Sequence, residues 1–111
     1  MLKLVDSRSS TWLFRGVVNQ WGNVTFPASR FNAEGARFQL PAGMWEVRVP
    51  PFEGKWVELR SSDGVVSRVD SGELRTIFKS GKIDYWIGLD SKYEGKEFLM
   101  ILTRFNPPPA V

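Results

Sequence analysis

Hydrophobic and polar residues alternate along many short stretches of this chain. From residue 55 onward, the stretches with this period of two are 55–60, 64–69, 73–79 and 82–89, and residues 97–105 are predicted to form the last strand. Before residue 55 they are 11–18, 24–26, 36–40 and 44–49. No window longer than about ten residues keeps the three-to-four spacing of an amphipathic helix, so the pattern predicts strands throughout.

Turn-forming residues separate these stretches. The breaks at 61–64, 70–72 and 80–81 each place glycine beside serine or aspartate, which suits the positive φ angles of tight turns. The four stretches between 55 and 89 are therefore predicted to form an antiparallel meander. About eight or nine short strands in all predict an all-β fold, an antiparallel β-sandwich of the jelly-roll type. An OB-fold is the less favoured alternative, because it has fewer strands and a helix that this pattern lacks.

The alternation also assigns side chains to faces. The predicted core consists of Trp45, Val47, Val49, Val57, Leu59, Leu74, Phe78, Ile83, Tyr85, Ile87 and Leu89. The predicted outward set is Glu46, Arg48, Glu58, Arg60, Arg75, Lys79, Lys82 and Asp84. Trp12 joins the inward positions.

Composition fits one globular domain. The chain has 111 residues, of which 42% are hydrophobic and 24% charged, far from the pattern of a disordered chain. Residues 1–106 are predicted to form a single β-sandwich domain, and residues 107–111, which begin with three prolines, an extended tail. The start of the chain lacks the apolar core of a signal peptide. We therefore expect a protein without a membrane span that is cytoplasmic or incorporated into a virion.

Two residue types that carry much of protein chemistry are missing. The chain has no histidine and no cysteine, which removes the usual general base, the serine triad, thiolate chemistry and the commonest metal ligands. We therefore predict a non-enzymatic protein with no cofactor and no metal. Two weaker alternatives remain: Glu46 and Glu58 as a pair of glycosidase carboxylates, and the acidic stretch 90–97 as a calcium loop. An ordinary hairpin loop is the favoured interpretation of that stretch.

Tryptophan and arginine are enriched at protein interfaces, and this chain has five tryptophans. Alternation places Trp56 and Trp86 outward, and Trp21 lies in the predicted loop 19–23. One hypothesis groups Trp56 and Trp86 with Arg48 and Arg60 in a contact surface. The alternative is that both tryptophans form a second layer of core.

The same tryptophans suit two further ligands. Trp21, Trp56 and Trp86 are candidate stacking platforms for a sugar ring, or for the bases of a single-stranded nucleic acid. The net charge of +3 is mild, and the basic excess lies in the first half of the chain. Because phosphate binding depends on cations gathered on one face, the charge gives little support to nucleic-acid binding.

The last predicted strand is apolar on both faces. Its residues 98–102 run without alternation, so both faces of the strand would carry apolar side chains, and Leu99 and Ile101 are candidate interface residues. Either a neighbouring part of the fold or another subunit covers them. This feature predicts a structural or assembly protein that docks onto itself or a larger particle, such as a capsid, spike or decoration component of a virion. A carbohydrate-binding module is the alternative.

Overall fold

Nine antiparallel strands and one 3-10 turn make up the part of the chain that the structure, a computed structural model, describes: residues 9–26 and 36–105. The strands are β1 Ser9–Val18, β2 Val24–Thr25, β3 Phe38–Gln39, β4 Gly43–Val49, β5 Val57–Ser61, β6 Gly64–Val69, β7 Leu74–Ser80, β8 Asp84–Gly88 and β9 Glu97–Phe105. The turn is Ser91–Tyr93. Each predicted strand is present, with its ends shifted by at most a few residues.

The strands form two sheets. The larger sheet has the order β2-β1-β9-β4-β7, and the smaller has the order β3-β8-β5-β6. Apart from the short β2, the chain pairs like one long hairpin rolled into two layers: β1 with β9, β3 with β8, β4 with β7 and β5 with β6. That connectivity is a jelly roll, which confirms the predicted fold class.

The predicted meander is wrong. β5 and β6 do form a hairpin, but β7 pairs with β4 in the larger sheet, while β8 returns to pair with β5 in the smaller one. The turns on either side of β7 therefore carry the chain from one sheet to the other. Turn-forming residues mark where a chain reverses, but they do not say which strand supplies the next hydrogen bonds.

The core lies between the two sheets, as the alternation predicts. Nine of the predicted core residues are buried, and the other two, Phe78 and Ile83, are half-buried against them. Trp45 is fully buried and donates its indole N–H to the carbonyl of Pro41 at 2.8 Å, which satisfies its one polar group. Trp12 packs on Trp45 with ring centroids 5.6 Å apart.

The last strand, β9, lies in the middle of the larger sheet between β1 and β4. Its even-numbered residues Phe98, Met100 and Leu102 are buried in the core. Its odd-numbered residues Leu99 and Ile101 are half-buried on the opposite face. The predicted tail, 107–111, lies outside the described residues. A helix able to cross a membrane does not occur in 9–26 or 36–105.

Candidate functional site

The outer face of the larger sheet is the first candidate surface, and we call it the large-sheet face. Strand register places its side chains in rows across β1, β9, β4 and β7. Its members are Thr11, Leu13, Arg15, Val17, Leu99, Ile101, Thr103, Phe105, Met44, Glu46, Arg48, Arg75, Ile77 and Lys79, with Glu73 just before β7. The hydroxyls of Thr11 and Thr103, 3.1 Å apart, form a hydrogen bond across one of these rows.

Apolar side chains occupy much of this face. Leu13 and Ile77 are 55% and 58% exposed, and Val17 and Met44 are also exposed. Leu99, Ile101 and Phe105 are half-buried between them. Scattered exposed apolar residues are ordinary, but a contiguous set on a sheet face is typical of an interaction surface. The sequence analysis singled out only Leu99 and Ile101.

Charged residues on the large-sheet face are mixed in sign and mostly paired within the chain. Arg75 donates to Glu46 at 2.9 Å, and Arg48 donates to Glu73 at 3.3 Å. The hydrogen bond to Glu46 is the main cause that raises the pKa of Arg75 above its usual value. Lys79 has no ion-pair partner within the described ranges. With Glu97, which pairs with Val17 at the start of β9, the face has four basic and three acidic residues. It therefore presents apolar area together with charges of both signs.

The outer face of the smaller sheet, the small-sheet face, has a different character. The guanidinium of Arg37 lies 4.6 Å from the ring centre of Trp86, and that of Arg68 lies 4.8 Å from the ring centre of Trp56. Both tryptophans are half-buried. Trp56 packs against the hydrophobic core, in line with the alternative of a second core layer, whereas Trp86 is not part of that packing within the described residues. Each has a cation over its ring, which is a stabilising arrangement in itself.

Carboxylates neutralise the arginines of the small-sheet face. Glu58 is only 6% exposed and accepts from Arg68 at 3.0 Å, with the guanidinium of Arg60 at 3.4 Å. Arg68 also donates to Asp70, and this hydrogen bond is the main cause that raises its pKa above the usual value. Within 9–26 and 36–105, this face thus shows no surplus of positive charge, on which phosphate binding depends.

The proposed grouping of Arg48 with Trp56, Trp86 and Arg60 is wrong. Arg60 pairs directly with Trp86 in the smaller sheet, and Trp56 precedes the same strand β5. Arg48 lies on the other side of the sandwich, on β4 of the larger sheet. Alternation gives the face of a residue within its own strand, but not the sheet to which that strand belongs.

Trp21 is the most exposed aromatic residue described, at 74%. Its loop is held firmly: the side chain of Asn19 accepts from the backbone N–H groups of Trp21 and Asn23, and Gly22 accepts from the backbone of Leu89 at 2.7 Å. Gly22 has a φ of 78°, the left-handed conformation that favours glycine. The loop therefore presents an indole to solvent on a rigid support.

Neither of the two weaker hypotheses, a pair of glycosidase carboxylates and a calcium loop, has the geometry that it requires. Glu46 lies on the outer face of the larger sheet and Glu58 on the outer face of the smaller one, so the two carboxylates cannot flank one bond. In the acidic stretch 90–97, Asp90 caps the 3-10 turn by accepting from the backbone of Lys92 at 3.0 Å. A group of acidic residues able to hold a metal ion is not found in the described part of the chain.

The chain has a similarity to known proteins in structure but no match in sequence. No known protein family matches the sequence, and no curated protein matches it. Among solved structures, the chain is similar to the crystal structure of GITRL from bushbaby, with 11% sequence identity and a TM-score of 0.49. The similarity covers 91% of this chain and 100% of that one. The fold assignment itself follows from the strand connectivity described above.

Proposed function

We propose that this protein is a non-enzymatic assembly protein that docks another protein on its large-sheet face. The observation that carries the proposal is the concentration of exposed apolar side chains there. Of the six large hydrophobic residues that are exposed among those described, four lie on this face: Leu13, Val17, Met44 and Ile77. Burying apolar area is worth about 25 cal/mol per Å², so a surface of this kind favours association.

The size of the face suits a protein partner. Four strands about 4.8 Å apart, with about 25 Å of length each, make roughly 500 Å² of flat sheet. The relief of the side chains increases this area, and a standard interface buries about 800 Å² on each partner. A small ligand would leave most of such a face exposed to solvent. A larger particle remains part of the proposal: jelly-roll domains build viral capsids, so a capsid, spike or decoration component fits the connectivity by analogy.

The test uses a photo-crosslinking amino acid at position 77, in cells that naturally make the protein. Position 65 is the matched control, because Val65 is 53% exposed but lies on β6 of the smaller sheet. We expect protein adducts from position 77 and few from position 65. Equal yields from both positions, or a crosslink only within the same chain, would overturn the docking surface.

Trp21 supports carbohydrate binding as a second candidate function. Its indole is exposed on a rigid loop, whereas the rings of Trp56 and Trp86 each have an arginine over them. Sugar stacking would therefore use Trp21. Tryptophan emission titrated with oligosaccharides should shift in the wild type and in Trp86→Phe, but not in Trp21→Ala. A wild type that responds to no glycan would remove this candidate.

A further inference from the structure

We infer that the occupant of the large-sheet face is a second copy of this chain, packed face to face about a two-fold axis that runs across the strands. The inference rests on the proposed docking function and names its partner. In a two-fold contact the same patch meets itself, so a face must be compatible with its own charges. The charges of the large-sheet face meet that condition.

The order of charges along β7 and β4 is self-complementary. Just before and along β7, the outward residues are Glu73, Arg75, Ile77 and Lys79, and along β4 they are Met44, Glu46 and Arg48. A two-fold axis midway between the rows of Ile77 and Arg75 places each strand over the same strand of the second copy, with the two running in opposite directions. It then places Lys79 opposite Glu73 of the second copy.

The same axis fits β4 without adjustment. Glu46 shares a row with Ile77, and Arg48 shares a row with Arg75. Glu46 is only 8% exposed and is paired with Arg75 of its own chain. Reversal about the axis brings this carboxylate opposite Arg48 of the second copy. One axis thus pairs unlike charges on both strands and opposes no like charges on either.

The apolar side of the face is compatible with the same axis. Thr103 and Ile101 of β9 lie in the two rows on either side of it, next to Glu46 and Arg48. Reversal therefore places Phe105 opposite Leu99 of the second copy, and Thr11 opposite Leu13. These contacts lie over β1 and β9, while the charged pairs lie over β4 and β7. An apolar area beside oppositely charged pairs is the usual arrangement of a specific interface.

Substitution of Lys79 tests how the two copies are aligned in the proposed pair. It is exposed and has no ion-pair partner among the described residues, so its replacement removes no ion pair from the fold. In the proposed pair, Lys79→Glu sets a carboxylate against Glu73 of the second copy at two symmetry-related places. We expect the dissociation constant to rise about tenfold. Glu73→Lys should have a similar effect, and the double variant should return to within about threefold of the wild type, because the opposed signs are restored.

The experiment is sedimentation equilibrium of the full chain over a concentration series, with Leu13→Glu and Val65→Glu beside the charge variants. Leu13 is 55% exposed and lies in the apolar contact over β1 and β9. Leu13→Glu should therefore weaken the pair on the order of a hundredfold or more, because it places a charge in that contact. Val65→Glu should leave it unchanged. A double variant as weak as the single variants, or a Leu13→Glu protein that associates like the wild type, would overturn the inference.

Failure of this inference and failure of the docking function are distinguishable. If the purified wild type is monomeric at every concentration but position 77 crosslinks to a different protein in cells, the second copy is excluded and docking stands. If position 77 gives no protein adduct, both are overturned. An adduct one chain mass, 12.7 kDa, above the protein supports both.

Discussion

At the residue scale, Gly22 sets the geometry of the loop that carries Trp21. A Cβ atom at this position would lie 2.2 Å from the carbonyl oxygen of Leu89, and the φ of 78° is one that side chains rarely adopt. The glycine is thus required for two separate reasons: backbone conformation and a close approach to the loop that follows β8.

Gly22→Ala is therefore expected to lower the free energy of unfolding by about 3 kcal/mol, from left-handed backbone strain and overpacking together. Gly54→Ala is the matched control, since Gly54 has a φ of 66° but no atom within 4 Å of its added Cβ. It should cost about 1 kcal/mol, from the backbone strain alone. Urea unfolding measures both variants, and equal losses would contradict the role of the close approach.

The sequence predicted the direction of most side chains, but it did not predict which side chains lie beside one another. Alternation predicted the inward positions of Trp45 and Tyr85. It placed Trp56 outward, but that side chain packs against the core. It did not predict that Glu58 is buried on an outer face, because that burial comes from two arginine side chains on β5 and β6. Long charged side chains cover their neighbours, and no pattern of hydrophobicity along the chain records this.

At the element scale, β9 has two apolar faces with different roles. Its buried set packs in the core, while Leu99 and Ile101 belong to the large-sheet face. The first role concerns the stability of the monomer, and in the proposed function the second concerns association. Substitutions one residue apart on the same strand should therefore give opposite results.

Leu102→Ala should lower the free energy of unfolding by about 3 kcal/mol, because it leaves a cavity in the core. Ile101→Ala should cost about 1 kcal/mol or less when the chain is dilute enough to be monomeric, yet it should weaken association. Chemical unfolding at low concentration and sedimentation at high concentration separate the two effects. Equal losses of stability in both variants would contradict the assignment of Ile101 to an outer face.

The positions of the strands could be predicted from the sequence, but the pairing between strands could not. The strand positions follow from local alternation and turn residues, which act over a few residues. The pairing of β1 with β9 joins residues as far apart as Ser9 and Phe105. The outward apolar residues Leu13 and Ile77 were visible as breaks in the alternation, but only the register brings them onto one face with Ile101.

At the scale of the whole molecule, the outer faces of the two sheets differ in chemical character. The small-sheet face is closed by its own contacts, because its arginines stack on tryptophans and pair with carboxylates. The large-sheet face exposes apolar side chains between charges of both signs. A protein whose small-sheet face is paired within the chain and whose large-sheet face is apolar is suited to assembly through the large-sheet face.

The most direct test of the pairing of two copies is the molar mass in solution, by light scattering after size exclusion, of the wild type and Leu13→Glu across a concentration series. The pairing predicts a wild-type mass that rises with concentration from 12.7 kDa toward that of two chains, while Leu13→Glu stays at 12.7 kDa. A wild type that stays at 12.7 kDa at every concentration, or a variant that associates equally well, would contradict the pairing.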